Sequence, residues 1–405
     1  MMSTPKVLFI TNNFPPVRGG SASVYANLAR CSEGDIIVLA PRIDYTDGLP
    51  IIGWREHDRT APYQVIRLPL LRTEICTGVL TGGLKLLHLA QDVAIRLRVA
   101  SVLLKTVIFD RVRTVCVGEL LSGSWIIKLV HFIPGVRTFA YVHGEEITTS
   151  DCYDSTHRRA RQALLRSDCI ITVSNFTYYA VEALVGVETL KSIHLIHNGV
   201  DMSRFHRHAK SPELLRLYDL VDCFVFVSVC RLVEKKGTDN TIRAFAQVAA
   251  RHKDCRLLIV GAGPYRDTLE LIVDETGLRE QVIFTGPVAE AELVRHYQLG
   301  DVFVMPNREM QDGDTEGFGL VFLEANACGL PAIAGRDGGS TEAVQHNTNG
   351  LVVNGRNVQD IADAMLRLRE DRDLYATLQR QGLEVAARAD WSVKTQSFRT
   401  LCNQP

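Results

Sequence analysis

The sequence predicts an α/β protein with two domains, each built around a parallel β-sheet that is covered by helices. A chain of 405 residues is longer than a single hydrophobic core usually supports, which favours two domains. Short apolar, β-branched runs alternate with helix-like segments along nearly the whole chain, as expected of parallel strands that are buried on both faces. A turn-rich junction at 197–201 separates two such series.

The two series predict two Rossmann-like domains that face each other across a cleft. We expect the first domain at 1–197, the second at 198–385, with a hinge near 198–220, and a final segment at 386–405 that carries a helix around 391–401. The predicted strands are 6–10, 35–39, 64–68, 114–117, 137–142 and 168–173 in the first series, and 223–229, 256–260, 281–284, 302–304 and 331–333 in the second.

Composition narrows the class of function. The net charge of −1 argues against a nucleic-acid partner, because such proteins usually carry a basic domain. The ten cysteines form no C-x-x-C pair and predict free thiols in a reducing compartment. The N-terminus offers no signal peptide, and no apolar run reaches the roughly 18 residues of a membrane span. We therefore expect a cytoplasmic protein, with peripheral attachment to the cytoplasmic membrane face as an alternative.

The most informative segment is 315–325, with the sequence TEGFGLVFLEA. Gly317 and Gly319 allow a ligand to approach the backbone, and the amides that open the following helix can bind an anion. Glu316 and Glu324 supply carboxylates, which accept directed hydrogen bonds from sugar hydroxyls. The segment predicts a nucleotide-sugar site, and the alternative is a helix whose acidic residues stabilise its dipole.

This segment resembles the signature of glycosyltransferase family 4, the retaining GT-B glycosyltransferases also called glycosyl transferases group 1. The resemblance implies a GT-B fold, with the final helix packed on the first domain. It implies that Glu316 binds the hydroxyls of the transferred sugar and that Glu324 binds those of the ribose. The donor would also contact Gly317, Phe318, Gly319 and Leu320. Enzymes of this kind generally need no metal and no cofactor.

Two further patterns supply groups for the diphosphate. Gly19 and Gly20 end a P-P-x-x-G-G run before a predicted helix, where the family lets the donor diphosphate or an acceptor hydroxyl approach the chain. Arg231 and Lys236 lie in an R-L-x-x-x-K-G pattern after a strand, and the resemblance implies that both stabilise the leaving diphosphate. Without the resemblance, a purely structural turn explains the two glycines equally well, and a solvated basic loop explains Arg231 and Lys236 better.

The remaining candidates are weaker. Gly263 lies in a G-x-G-P turn and Val288 in a segment whose backbone meets the base in the family, although plain strand-end turns explain both. His143 follows a predicted strand in a V-H-G pattern, and the resemblance implies a hydrogen bond to the transferred sugar. The pair Asp312 and Asp314 is interpreted as a loop and not as a metal site.

Basic and apolar residues alternate at helical spacing over 96–109, which is compatible with contact to an anionic membrane as well as with an ordinary packed helix. Within the family, the segment 315–319 resembles that of bacterial GDP-mannose-type α-mannosyltransferases, which implies a mannose donor. The predicted function is transfer of a hexose to a glycolipid or polysaccharide-precursor acceptor.

The alternatives are a UDP-sugar-dependent transferase, an epimerase or phosphorylase of the same fold, and a non-catalytic nucleotide-sugar-binding protein. A dehydrogenase is disfavoured because Arg266 interrupts the G-x-G-x-x-G fingerprint.

Overall fold

The structure, a computed structural model, describes residues 6–74, 82–149, 154, 156–186 and 192–404. The chain divides into two compact units. Unit 1 comprises Met1–Val173, Thr177–His197 and Trp391–Pro405, and unit 2 comprises Ser174–Phe176 and Asn198–Asp390.

Unit 1 contains a seven-stranded parallel sheet in the order β3-β2-β1-β4-β5-β6-β7. The central strands are almost fully buried because helices cover both faces of the sheet, which is why they are continuous apolar runs in the sequence. The strands are β1 (Lys6–Ile10), β2 (Ile36–Pro41), β3 (Gln64–Leu68), β4 (Val112–Val117), β5 (Arg137–Val142), β6 (Cys169–Thr172) and β7 (Ile193–Leu195).

The helices of this part are α1 (Gly20–Arg30), α2 (Trp54–Thr60), α3 (Gly82–Phe109), α4 (Leu120–Val130), α5 (Glu145–Thr148), α6 (Arg158–Leu164), α7 (Asn175–Val185) and, at the chain end, α16 (Trp391–Asn403). The first residues of α7, up to Phe176, belong to unit 2. Helix α16 packs in unit 1 through Phe398, whose ring lies 6.4 Å from that of Phe9 and 6.3 Å from that of Phe139. The Arg137 guanidinium donates to the carbonyl of Leu401 and so holds the end of this helix.

Unit 2 contains a six-stranded parallel sheet in the order β10-β9-β8-β11-β12-β13. Its strands are β8 (Phe224–Val229), β9 (Cys255–Val260), β10 (Val282–Gly286), β11 (Val302–Met305), β12 (Ala332–Gly335) and β13 (Gly350–Val353). Its α-helices are α8 (Pro212–Leu217), α9 (Thr238–Arg251), α10 (Arg266–Thr276), α11 (Leu293–Tyr297), α12 (Leu320–Ala327), α13 (Ser340–Ala343), α14 (Val358–Glu370) and α15 (Arg372–Arg388).

The two parallel sheets confirm the predicted α/β class with two Rossmann-like domains. The predicted strand count was wrong in both, because the last strand of each sheet was missed. The edge strand β7 has three residues and β13 begins with a glycine, so neither has the long β-branched run on which the prediction depended. An edge strand pairs on one side only and can form from a weaker sequence.

Candidate functional site

In each sheet, successive strands are added first on one side of the first strand and then on its other side. In unit 2 the chain moves from β8 to β9 on one side and later returns to β11 on the other side, so the loops after β8 and β11 leave in opposite directions. In unit 1 the same holds for β1 and β4. Ligands of open α/β sheets bind beyond the carboxyl ends of the strands at such a point. These loops carry most of the predicted site residues.

Glu316 and Lys236 form the central contact of the unit 2 site. The Lys236 ammonium donates to the Glu316 carboxylate, and their side chains are 16% and 15% exposed. Burial alone would raise the pKa of Glu316, but the Lys236 charge and hydrogen bond hold it below its usual value. Burial alone would lower the pKa of Lys236, but Glu316 keeps it above its usual value. Both groups are therefore charged at neutral pH.

A second ion pair lies next to this one, formed by the residue before Lys236 and the residue two positions before Glu316. Lys235 Nζ lies 2.6 Å from the Asp314 carboxylate, and Asp314 N–H donates to the Asp312 carboxylate at 3.1 Å. The two aspartates thus form a turn that Lys235 holds in place. Lys235 is therefore paired with Asp314. Lys236, which the resemblance predicts to contact the diphosphate, is paired with Glu316 instead.

A buried ion pair fixes the turn that carries both lysines. The Arg308 guanidinium donates to both carboxylate oxygens of Asp239, at 2.8 and 3.1 Å, and to Glu234 at 3.2 Å. Arg308 N–H also donates to the Lys235 carbonyl at 2.8 Å. Because Arg308 follows β11 and Glu234–Lys236 is a 3-10 turn after β8, this network joins the two loops at the switch point.

Arg231 is a third cation in the loop after β8, and its surroundings differ from those of the two lysines. It lies two residues beyond β8, its side chain is exposed, and within the described ranges it has no ion pair or side-chain hydrogen bond. The Gly261–Gly263 segment after β9 packs directly beside it. A Cβ atom at Gly263 would lie 2.2 Å from the Leu232 carbonyl oxygen, so only glycine allows this approach. Arg231 is therefore available to an anionic ligand.

The loop around Glu316 ends at the start of α12. Gly319 has a φ of 88°, a left-handed conformation, and precedes the first helical residue, Leu320. Phe318 is buried, and its N–H donates to the Glu316 carboxylate. The backbone of Glu316 is held as well, because Gly339 N–H donates to the Glu316 carbonyl at 2.8 Å. These hydrogen bonds hold both the side chain and the backbone of Glu316, and its carboxylate lies beside Lys236.

Glu324 lies in the middle of α12 and accepts a hydrogen bond from the Tyr297 hydroxyl at 2.7 Å. Burial raises the pKa of Glu324 to about 7, although the Tyr297 hydrogen bond and the Arg204 charge act in the opposite direction. Val288, beyond the end of β10, is half-buried. Glu324 and Val288 both lie in unit 2, and within the described ranges neither forms a hydrogen bond or ion pair with Glu316.

In unit 1 the loop after β1 is held by Glu119, which follows β4. Its carboxylate accepts hydrogen bonds from the backbone N–H groups of Asn12 and Asn13, at 2.8 and 3.3 Å, and from the Thr11 hydroxyl at 2.7 Å. This loop leads to Gly19 and Gly20, which are both exposed, and no atom packs where a Gly19 side chain would lie. Open space remains for a ligand beside Gly19.

His143 follows β5, next to β4 in the same sheet. Its Nε2 lies 2.8 Å from the Tyr25 hydroxyl, and its ring stacks on Tyr141 with centroids 5.3 Å apart. Burial lowers the pKa of His143 to about 4, so the ring is neutral at physiological pH. The Glu146 carboxylate accepts the His143 N–H at 2.9 Å and thereby fixes the backbone of this loop.

Several known proteins are similar to this chain over nearly its whole length. The family described as glycosyl transferases group 1 matches residues 207–385. A GDP-mannose-dependent alpha-(1-6)-phosphatidylinositol monomannoside mannosyltransferase of Mycobacterium tuberculosis is 34% identical over 95% of both chains. This chain belongs to the group 1 glycosyltransferases. A relative of the same name from Mycolicibacterium smegmatis is 32% identical over 97% of this chain and 95% of that one.

Solved structures of low sequence identity share the fold of this group 1 glycosyltransferase. Anabaena Alr3699/HepE, in complex with UDP and glucose, superposes with a TM-score of 0.76 at 20% identity and covers 99% of this chain and 100% of its own. Sucrose-phosphate synthase from Thermosynechococcus elongatus superposes with a TM-score of 0.73, also at 20% identity, over 98% of both chains. These likenesses support the GT-B fold.

The sequence did not point to several residues that hold the candidate site residues in place: Arg308, Asp239, Tyr297, Glu119 and Tyr25. One usable signal was present, since Arg308 and Glu119 are charged residues within three positions of the end of a strand of apolar sequence. In the part of the chain that the structure describes, no three His, Cys, Asp or Glu side chains are grouped as a metal site would need. Metal independence remains a prediction.

Proposed function

We propose that this enzyme transfers mannose from GDP-mannose to a phosphatidylinositol mannoside or a related glycolipid, with retention of configuration and without a metal. The observation that carries this proposal is the half-buried Glu316–Lys236 ion pair in unit 2, together with the exposed Arg231 in the loop that carries Lys236. The relatives with 34% and 32% identity over nearly the whole chain are named for this donor and this class of acceptor. They support both substrates.

In the proposed reaction, Arg231 and Lys236 stabilise the negative charge that develops on the leaving diphosphate. Glu316 accepts hydrogen bonds from the hydroxyls of the transferred sugar, Glu324 from those of the ribose, and His143 contacts the sugar. The acceptor hydroxyl attacks from the face that the diphosphate leaves, and a phosphate oxygen takes its proton. The relatives are named alpha-(1-6) transferases, and an α product from an α-linked donor corresponds to retention.

The deciding experiment is a transfer assay with GDP-mannose and phosphatidylinositol monomannoside, in the presence of EDTA, with UDP-glucose as the competing donor. We expect transfer from GDP-mannose, and the product anomer measured by NMR should be α. Turnover with UDP-glucose alone would overturn the donor assignment. A β product would overturn retention, and loss of transfer in EDTA with recovery on added Mg²⁺ would overturn metal independence.

Titration of Glu324 gives a first test of the ribose contact. The ionised carboxylate accepts more hydrogen bonds than the protonated acid, and its pKa is raised to about 7. The affinity for GDP should therefore increase as the pH rises from about 6 to about 8. Calorimetry on wild type and Glu324→Gln separates this effect from titration of the phosphate itself, because glutamine does not titrate.

Tyr297→Phe provides the control for this titration. The Tyr297 hydrogen bond lowers the pKa of Glu324, so its removal should shift the midpoint to higher pH. The same pH dependence of GDP affinity in wild type and Glu324→Gln would show that Glu324 does not contact the ribose.

We also propose that α3 attaches the enzyme to the cytoplasmic face of an anionic membrane, where a lipid-linked acceptor would lie. Over its first half, α3 is exposed on nearly every side. Apolar side chains that are 41% to 70% exposed follow one face, and exposed basic residues flank them. The apolar residues are Leu86, Val93, Leu97, Leu104 and Ile108, and the basic residues are Lys85, Arg98 and Lys105. None of the helices in the described ranges combines the length and apolarity needed to cross a bilayer.

A double variant, Leu86→Asp with Leu97→Asp, should reduce binding to phosphatidylserine-containing vesicles by at least about ten-fold, since each leucine would lose its burial in lipid. Flotation with vesicles measures this directly. Leu217→Asp is the matched control, because Leu217 lies in α8 of unit 2 and is 67% exposed, as is Leu97. Equal flotation of the double variant and the control would argue that α3 does not contact lipid.

A further inference from the structure

Tyr25 and His143 share a hydrogen bond whose direction the structure determines. The Tyr25 hydroxyl oxygen lies 2.6 Å from the Gly118 carbonyl oxygen and 2.8 Å from His143 Nε2. Tyr25 is fully buried in α1, and a Cβ atom at Gly118 would lie 2.7 Å from the Tyr25 ring. The hydroxyl therefore has two neighbours at fixed positions.

The hydroxyl has one proton, and the carbonyl oxygen can only accept it. If the proton pointed to His143, two oxygen atoms would face each other at 2.6 Å with no proton between them. The proton therefore lies between Tyr25 and Gly118, and His143 Nε2–H donates to the Tyr25 oxygen. We propose that Tyr25 is a positioning residue that fixes His143 as its Nε2–H tautomer and leaves Nδ1 as an unprotonated acceptor.

The surroundings hold the ring in this orientation. Tyr141 stacks on His143 with an angle of 25° between the ring planes, and Tyr25 meets its edge at 69°. Glu146 fixes the backbone below the ring by accepting the N–H groups of His143 and Gly144, at 2.9 and 3.1 Å. The lowered pKa of His143, about 4, is consistent with a neutral ring that has only one protonated nitrogen.

This assignment sets what His143 can recognise. Since Nε2 is occupied by Tyr25, a ligand can reach only Nδ1, which has no hydrogen-bond partner among the described residues. An acceptor nitrogen selects a hydrogen-bond donor, so a sugar hydroxyl fits and a deoxy position does not. This consequence rests on the proposed function, in which His143 contacts the transferred sugar.

Nitrogen-15 NMR of the imidazole in the full-length protein tests the tautomer without an activity assay. His143→Gln identifies the signals. We expect a protonated Nε2 and an unprotonated Nδ1 in wild type, and a detectable Nδ1–H population in Tyr25→Phe. A protonated Nδ1 in wild type would overturn the proposal, as would a Tyr25→Phe spectrum identical to that of wild type.

Kinetics test the consequence for the sugar. Tyr25→Phe should lower kcat for GDP-mannose by about five-fold to ten-fold, the usual effect of one hydrogen bond, and leave GDP affinity unchanged. Tyr179→Phe is the matched control, since that tyrosine is 62% exposed in α7 and its hydroxyl forms no hydrogen bond with another of the described residues. An equal loss in both variants would overturn a specific role for Tyr25.

Mono-deoxy analogues of GDP-mannose separate the two levels of the proposal. One analogue should be a much poorer donor for wild type, and His143→Gln should lose this discrimination because it lacks an acceptor at the Nδ1 position. If NMR shows the Nε2–H tautomer but no analogue is discriminated through His143, the sugar contact of the proposed function is wrong and the tautomer assignment stands.

Discussion

Glu316→Gln should reduce sugar transfer by about 10²-fold to 10³-fold and, at the same time, increase the affinity for GDP. The loss follows from removing the charged acceptor that, in the proposed reaction, binds the hydroxyls of the transferred sugar. The gain follows from the ion pair, because the Lys236 ammonium is neutralised by Glu316 when no ligand is bound. Without that carboxylate, the full charge of Lys236 is available to the diphosphate. Single-turnover kinetics and calorimetry measure the two effects separately.

Glutamine is a better replacement than alanine at this position. Its side-chain oxygen can still accept a hydrogen bond from Lys236, whereas alanine would leave a buried ammonium without a partner. Breaking a buried pair in this way typically costs about 3–5 kcal/mol of unfolding free energy. An inactive Glu316→Ala protein could therefore be a misfolded one. If the unfolding temperature of Glu316→Gln equals that of wild type, misfolding is excluded as the cause of its loss of transfer.

Asp314→Asn provides a matched control for Glu316→Gln. It removes a carboxylate from the same loop and breaks an ion pair with the neighbouring Lys235, which lies 2.6 Å away. Because Asp314 holds the loop and does not pair with Lys236, we expect transfer to stay within about ten-fold of wild type. A Glu316→Gln enzyme that turns over like wild type would exclude the assigned role, and so would an equal loss in Asp314→Asn.

The sequence was sufficient to predict that the candidate residues of unit 2 lie in loops, because these loops follow strands. Arg231 and Lys236 come after one apolar run, and Glu316 comes after another, so the carboxyl ends of parallel strands bring them to one edge of the sheet. The family resemblance added their roles. What local sequence could not show is that Glu316 and Lys236 would form a buried ion pair, since 80 residues separate them.

The residues that hold these groups in place were beyond sequence reasoning for the same physical reason. Arg308 contacts Asp239 across 69 positions, and Tyr25 contacts His143 across 118 positions. A lone arginine or tyrosine in a sequence is compatible with many partners, and only the folded sheet selects one. Tyr25 in particular lies on a helix of ordinary amphipathic pattern, where an aromatic residue predicts packing and not a hydrogen bond.

The second large effect is expected at the diphosphate contacts. Arg231→Ala should weaken GDP binding by roughly 10-fold to 100-fold, the loss of a charge-assisted hydrogen bond, and leave thermal stability unchanged because the side chain is exposed and unpaired within the described residues. Arg231→Lys keeps the charge but loses the planar fork, so it should recover only part of the affinity. Calorimetry with GDP measures all three proteins.

Lys236→Met should weaken GDP binding to a similar extent but should also destabilise the protein, because Glu316 would remain buried without its cation. The pKa of Glu316 would then rise above its unfolded value, so the stability of this variant should fall as the pH rises through that new value. Adding Glu316→Gln to Lys236→Met removes the unpaired charge and should restore the thermal stability, without restoring GDP affinity. Native GDP affinity in the stable double variant combined with Arg231→Ala would place the diphosphate elsewhere on the enzyme.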